Sequence, residues 1–318
     1  MFTVADLEAA EAVVRRHVPP TPQYAWPLLA AATGVETWVK HENHTPTGAF
    51  KVRGGLVLID RLAAEGGLGS GLITATTGNH GQSIAYAGHA AGVAVTIVAP
   101  IGNSPEKNAA MIGFGAELIE HGHDFQAARE HASKLAADRG LTMVPPFHPK
   151  LVLGVATYAR ELLTAADLDT VYVPVGQGSG ICAMITVRDL LGLRTRIVGV
   201  VAEQAPATKL SFEAGTVVAT EGVNTFIDGV ACRVPDEEAI ATILGGAERV
   251  VAVSEDACAE AIRVLLRTTH NLAEPGGAIA LAGLLADQEP RRGEPVGIVL
   301  TGGNLDASRL ATILSGET

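Results

Sequence analysis

Cysteine is scarce in this 318-residue chain. The three present, Cys182, Cys232 and Cys258, are odd in number and lack metal-like pairing, so they are read as reduced structural residues and not as a disulfide framework or a zinc site. Positive charge is also short. There are 23 Lys and Arg against 34 Asp and Glu, a net charge of -11, which leaves no basic surface for a phosphate backbone or an anionic membrane. No apolar run reaches the roughly 18 residues needed to cross a bilayer, and residues 1–6 lack the positive start of an export signal. With 47% hydrophobic and only 18% charged residues, a disordered or fibrous chain is excluded. The expectation is a cytoplasmic protein that engages neither nucleic acid nor membrane.

What is abundant is glycine: 36 residues against an average near 7%, gathered into loops that suggest backbone cradles for an anion. An amphipathic helix is expected over 3–17, with Thr3 as cap and Asp6 supporting the first turn, stopped by Pro19, Pro20 and Pro22. Runs of Val, Ile and Leu at 72–75, 93–99, 117–120, 171–175, 197–201 and 296–300 lack polar alternation and read as strands buried on both faces. Helical stretches at 81–91, 124–139, 154–165 and 254–270 fall between them, so the fold is α/β with largely parallel sheets. Pro145 and Pro146 interrupt this alternation and a fresh glycine site begins at Gly176. A small domain over 54–148 set within a large one made of 1–53 plus 149–318 follows, with a ligand cleft between them.

Two segments carry chemistry. The strand at 171–175 runs into Gly176, Gln177, Gly178, Ser179 and Gly180 and then into a helix, an arrangement whose free amides suit a phosphate dianion. It matches neither the dinucleotide nor the P-loop pattern, and taken alone it is equally a tight turn. In the second segment Lys51 stands between Phe50 and a small-residue stretch ending in Gly54 and Gly55. A lone lysine is ordinarily a solvated charge; in an apolar, glycine-bounded setting its amine loses solvent and becomes a nucleophile toward an aldehyde.

The run from Thr45 to Gly55 resembles the cofactor-lysine motif of the fold-type II pyridoxal-phosphate enzymes, the tryptophan-synthase β-like family, and is most similar to its serine/threonine dehydratase and serine racemase branch. Further motifs follow in order: Pro20-Thr21-Pro22, Thr77-Gly78-Asn79-His80-Gly81, Gly176 to Gly180, Glu274-Pro275-Gly276-Gly277 and Thr301-Gly302-Gly303-Asn304. The resemblance covers nearly the whole chain. It implies two lobes, each with a mainly parallel open twisted sheet flanked by helices, and pyridoxal 5'-phosphate as cofactor. By the same resemblance Lys51 is the Schiff-base residue with Phe50 beside the ring, and Gly176 to Gly180 hold the phosphate. Asn79 lies near the ring hydroxyl, Glu274 lines the site, and the Thr301 hydroxyl meets the pyridine nitrogen. Thr77, Gly78, Asn79 and His80 grip the substrate carboxylate, although His80 reads equally well as a helix-surface residue.

A neutral hydroxyl at Thr301 leaves the pyridine nitrogen unprotonated and favours prompt β-elimination over a long-lived carbanion. The expected reaction is loss of water from a 3-hydroxy amino acid, L-threonine or L-serine by default, to a 2-oxo acid and ammonia. Lys51 removes the α-proton, and the cofactor phosphate serves as proton donor because no motif places a carboxylic acid to do so. Other 3-hydroxy amino acids, such as hydroxyaspartate or phenylserine, remain open. So do a racemase, for which Thr77 occupies the place of the second-face serine base, and a non-catalytic small-molecule sensor. Gln177 and Ser179 depart from the branch's glycine run, and Val201 and Ala207 offer no side-chain oxygen where many members bind a cation, so no metal site is expected; nor do His121 and His123 have supporting ligands. Glu203 reads as solvated. The chain ends soon after Thr301, so feedback through an added regulatory domain is not expected, and a homodimer is the default assembly.

Overall fold

The computed structural model describes residues 2–287 and 294–316. Thr3 and Asp6 form a reciprocal cap, the Asp6 carboxylate accepting the Thr3 amide at 2.9 Å and Thr3 Oγ1 accepting the Asp6 amide at 3.2 Å, and helix α1 (Val4–Val14) starts there. Strand β1 (Gln23–Ala25), helix α2 (Pro27–Thr33) and strand β2 (Thr37–His41) lead to α3 (Lys51–Ala64). The chain then alternates β3 (Leu72–Ala75), α4 (Asn79–Ala91), β4 (Val95–Ala99), α5 (Pro105–Gly113), β5 (Glu117–Glu120), α6 (Phe125–Arg139) and β6 (Thr142–Met143). After α7 (Pro149–Ala165) come β7 (Thr170–Pro174), α8 (Ser179–Leu190), β8 (Arg196–Ala202), α9 (Ala207–Ala214) and α10 (Glu237–Gly246). The last elements are β9 (Arg249–Val253), α11 (Glu255–Thr269), α12 (Pro275–Ala286), β10 (Val296–Leu300) and α13 (Ala307–Ser315).

The strands form two sheets. One has the order β1-β2-β10-β7-β8-β9 and is parallel except for β1, which runs antiparallel to β2. The other, β5-β4-β3-β6, is wholly parallel. This is the α/β architecture with mainly parallel sheets expected from the apolar runs. In the larger sheet Ile298 of β10 stands level with Val39 of β2 and Tyr172 of β7, so three neighbouring strands end at the same height.

Three local readings change. Residues 117–120 are not buried on both faces: β5 is an edge strand with exposed ends, and Arg139 and Thr96 both bond the Glu117 carboxylate. Helix α7 begins at Pro149, capped by His148, and not at Gly154; Gly154 lies inside it because a Cβ there would sit 2.3 Å from the Arg53 carbonyl oxygen, so the missing side chain lets α3 and α7 touch. Strands β1, β2, β6 and β9 were not anticipated. In β2 the pattern is masked by Lys40 and His41, which are polar yet buried.

Lys40 belongs to a charge cluster enclosed between β2, α3 and α7. Arg53 Nε and Nη2 donate to Glu42 at 2.8 and 2.9 Å, and Nη1 and Nη2 donate to Glu161, each at 3.0 Å. Lys40 Nζ donates to Glu161 Oε2 at 2.7 Å and to the Thr21 carbonyl at 3.0 Å, while Thr21 Oγ1 donates to Glu42 at 2.6 Å. Two cations face two carboxylates with their polar atoms matched, the condition under which buried charge is tolerated. Burial alone would raise the Glu161 carboxyl, but Arg53 and Lys40 outweigh it and hold it below its usual range. Arg53→Met should therefore lower the unfolding free energy by about 3–5 kcal/mol, the cost of orphaning buried carboxylates, read as a lower urea midpoint at unchanged slope. A loss below about 1 kcal/mol would mean that the pairs behave as surface salt bridges.

Candidate active site

Parallel α/β sheets present ligands at the carboxyl ends of their strands. Beyond β2, β10 and β7 lie residues 42–51, 301–304 and 176–180, brought side by side by the strand order. The first two are laced together. The Phe50 amide donates to the Thr301 carbonyl at 2.9 Å, the Gly303 amide to the Gly48 carbonyl at 2.9 Å, and Asn304 Nδ2 to the Thr47 carbonyl at 2.8 Å. A fourth segment, 76–80, arrives from β3 of the other sheet. Its Asn79 donates Nδ2 to Glu274 Oε1 at 2.5 Å and accepts Asn304 Nδ2 at 2.8 Å. Every residue named from the sequence for the cofactor lines this one cleft: Phe50, Lys51, Asn79, Glu274, Thr301 and the run from Gly176 to Gly180.

Helix starts at the cleft carry no side-chain cap, a property they share with α2, α9 and α13. Side chains cap α1, α5, α6, α7, α10 and α11, whereas α4, α8 and α12, which begin at the cleft, have no side-chain cap. At α4 and α8 the helix dipole and the first-turn amides favour an anion, whereas α12 opens with Pro275, which has no amide, and its Gly277 amide donates to the Glu274 carbonyl at 2.8 Å. At the start of α8, Gly178 holds φ +97°, and a Cβ on it would lie 2.9 Å from the Ala239 Cβ. The Gln177 side chain turns aside, donating to Cys232 Sγ at 3.3 Å, so its backbone is what the loop can offer. At α4 the Gly78 amide is taken by Thr76 Oγ1 at 3.1 Å. Thr77 is half-buried, and Gly78 and His80 are buried. The surface reading of His80 is thus overturned: burial pushes its pKa down to about 3, aided by Lys51, and its Nε2 is buried without a partner.

Lys51 opens α3, its Nζ 5.1 Å from the centroid of the Phe50 ring, which meets Tyr158 edge-on. Burial lowers the pKa of its amine; Glu274 and Asp228 pull the other way without prevailing. Thr301 Oγ1 donates to the Gly276 carbonyl at 2.9 Å. Two charged residues that sequence reasoning did not single out stand beside the cleft. Lys107 of α5 crosses Gly78 and ion-pairs with Asp228; burial opposes its charge, but Asp228, Glu274 and Asp306 outweigh it and raise its pKa. No sequence signal marks this pair, because 121 residues separate its members. Away from the cleft, Val201 and Ala207 are buried and Glu203 is exposed, while the His121 ring stacks on His131 at 3.8 Å. Among the described residues no group of three or more His, Cys, Asp or Glu is arranged to hold a metal ion, and no helix is long and apolar enough to cross a membrane.

This donor set fits pyridoxal 5'-phosphate: an uncapped glycine turn for a dianion, a desolvated amine for an aldehyde, and hydroxyl and carboxyl groups for a ring. A bulkier residue in the turn should spoil it. Gly178→Val places a β-branched side chain at positive φ against Ala239, and the cofactor dissociation constant should rise at least about tenfold, or 1.4 kcal/mol. Unchanged affinity in a cofactor titration would make the loop an ordinary turn.

A family model described as "Pyridoxal-phosphate dependent enzyme" matches residues 14–302. The chain is 31% identical over 317 residues to an L-threo-3-hydroxyaspartate ammonia-lyase of Saccharomyces cerevisiae, covering 99% of this chain and 97% of that one. It is also 31% identical over 317 residues to an L-threonine ammonia-lyase of Thermotoga maritima, covering 99% and 79%. Its fold superposes on the processed form of threonine deaminase isoform 2 from Solanum lycopersicum with TM-score 0.92 and 29% identity, over 98% of this chain and 86% of that one. Several other relatives are about twice as long as the part that this chain spans. Across almost its full length, then, the chain belongs to the pyridoxal-phosphate dependent enzymes.

Proposed function

We propose that this enzyme is an ammonia-lyase that eliminates water from a 3-hydroxy amino acid, L-threonine or L-serine by default, giving a 2-oxo acid and ammonia. The observation that carries the reading is the Lys51 amine, its pKa lowered by burial, in a cleft flanked by the uncapped starts of α4 and α8. Similarity to relatives named for ammonia loss from threonine and 3-hydroxyaspartate supports the same chemistry.

The bound cofactor supplies an electron sink that acidifies the α-hydrogen of an attached amino acid. The rest falls to the chain. The loop from Gly176 to Gly180 binds the phosphate through backbone amides, and Phe50 and Thr301 seat the ring. Thr77, Gly78, Asn79 and His80 orient the substrate carboxylate at the start of α4. Lys51, its pKa lowered by burial, takes the α-proton as general base. The unit with the four-stranded sheet, residues 54–148, closes over the substrate, and Lys107 reaches Asp228 across that closure.

The test is incubation of the cofactor-loaded enzyme in heavy water with L-serine, L-threonine, L-threo-3-hydroxyaspartate and phenylserine, following ammonia, 2-oxo acid and the enantiomer of each substrate. Release of 2-oxo acid and ammonia in equal amounts, well ahead of any enantiomer, is the expected result. Faster formation of deuterated D-serine than of pyruvate would replace the lyase with a racemase using Thr77. No turnover of any substrate would leave a ligand sensor.

A further inference from the structure

β-Elimination of a hydroxyl needs an acid as well as a base, because hydroxide leaves poorly unless protonated as it departs. Lys51, receiving the α-proton, cannot give one at the same moment. Among the described residues lining the cleft, Glu274 is the one acidic side chain. It is 2% exposed. Asn79 fixes its Oε1 from one side, and a Cβ on Gly302 would come within 2.2 Å of that oxygen, so the carboxyl is clamped on a glycine. Its Oε2 is buried and has no hydrogen-bond partner. A carboxylate so placed leaves a charged oxygen unsolvated, a costly arrangement, whereas a protonated carboxyl carries a hydrogen on the free oxygen for a ligand to accept.

We propose that Glu274 is the general acid that protonates the departing β-hydroxyl, in place of the cofactor phosphate, an inference that rests on the elimination reading above. The Cα–H bond breaks and its proton goes to the Lys51 amine. The freed electron pair becomes the Cα–Cβ double bond while the Cβ–O bond breaks; its electrons stay on oxygen, which takes the Glu274 proton and leaves as water. Glu274 then regains a proton from the Lys51 ammonium, directly or through a water. The charged groups facing Glu274 are Lys107 from α5, Asp228 from the segment after α9, and Lys51 from α3. Burial leads and Asp228 adds to it, while Lys107, Asn79 and Lys51 oppose; the net effect pushes the carboxyl up to about 7.

The loaded enzyme is compared with its Glu274→Gln variant on L-serine and on β-chloro-L-alanine, whose chloride leaves without a proton. Pyruvate from L-serine should fall at least about 100-fold, pyruvate from β-chloro-L-alanine should stay within about threefold, and exchange of the L-serine α-hydrogen with heavy water should persist. Equal losses on both substrates, or no loss on L-serine, would overturn the assignment. Should the variant not fold, the wild type still decides: turnover of L-serine should fall as pH rises through about 7 relative to that of β-chloro-L-alanine, and parallel profiles would overturn the role. A third readout needs no turnover. A carboxyl raised from 4.5 to about 7 stabilises the fold below the lower value and loses that contribution as pH rises to the higher. The wild type should therefore melt progressively lower relative to the variant between those two pH values, and a constant difference would show that the fold does not raise the Glu274 carboxyl. Wild type that releases pyruvate from neither substrate would sink the elimination reading itself; activity on both, with equal losses in the variant, would remove only the role of Glu274.

Discussion

The guanidinium of Arg53, gripped by Glu42 on one side and Glu161 on the other, anchors the start of α3 to β2 and α7 at once. Lys51 is two residues away on the same helix. A lysine amine has many rotamers and gains nothing catalytically unless the backbone that carries it is immobile. Here immobility comes from charge locked inside the protein, with Lys40 and Thr21 satisfying the oxygens that Arg53 leaves. The contact between Gly154 and Arg53 closes the remaining gap, so the two helices meet backbone to backbone.

With α3 fixed, the site is assembled by strand order. Neighbouring parallel strands β2, β10 and β7 end level, and two backbone bonds, from Phe50 to Thr301 and from Gly303 to Gly48, join the loops that follow β2 and β10 into one wall. Helices that start at this wall lack side-chain caps, whereas many that start elsewhere have them. The unsatisfied amides make a field suited to anions, and the same enclosure removes water from Lys51, His80 and Glu274. Desolvation lowers the first two and raises the third. One cause thus shifts an amine down and pushes a carboxyl up to about 7 in the same pocket, the pairing that the proposed base and acid require.

Much of this was legible in the sequence. Apolar runs located six strands, 72–75, 117–120 and 296–300 to the residue, because strands buried on both faces carry little polar interruption; the edge strand β5 was found although that reason does not apply to it. The glycine turn stood out by composition, while the Phe50-Lys51 pair and the loops at 77–80 and 301–304 were picked out mainly by their resemblance to the pyridoxal-phosphate family, and the fold brings the proposed cofactor residues into one cleft. What stayed hidden depended on partners distant in sequence. β2 was missed because Lys40 and His41 look solvated until Glu161 and Trp26 are placed beside them. His80 read equally as a carboxylate-holding residue and as a surface one, and only the fold shows it buried. Glu274 was recognised as lining the site, but its chemistry depends on Asn79, 195 residues earlier, and on an oxygen whose lack of a partner only the fold reveals.

The chemistry proposed for the cleft requires covalent attachment of pyridoxal 5'-phosphate to Lys51, the first residue of α3. Reduction of the loaded enzyme with borohydride, followed by peptide mapping, tests it directly. A pyridoxyl group on Lys51, lost in Lys51→Ala together with turnover while the fold is retained, is the predicted result. A label on Lys107, Lys40 or any other lysine, or full turnover without Lys51, would contradict it.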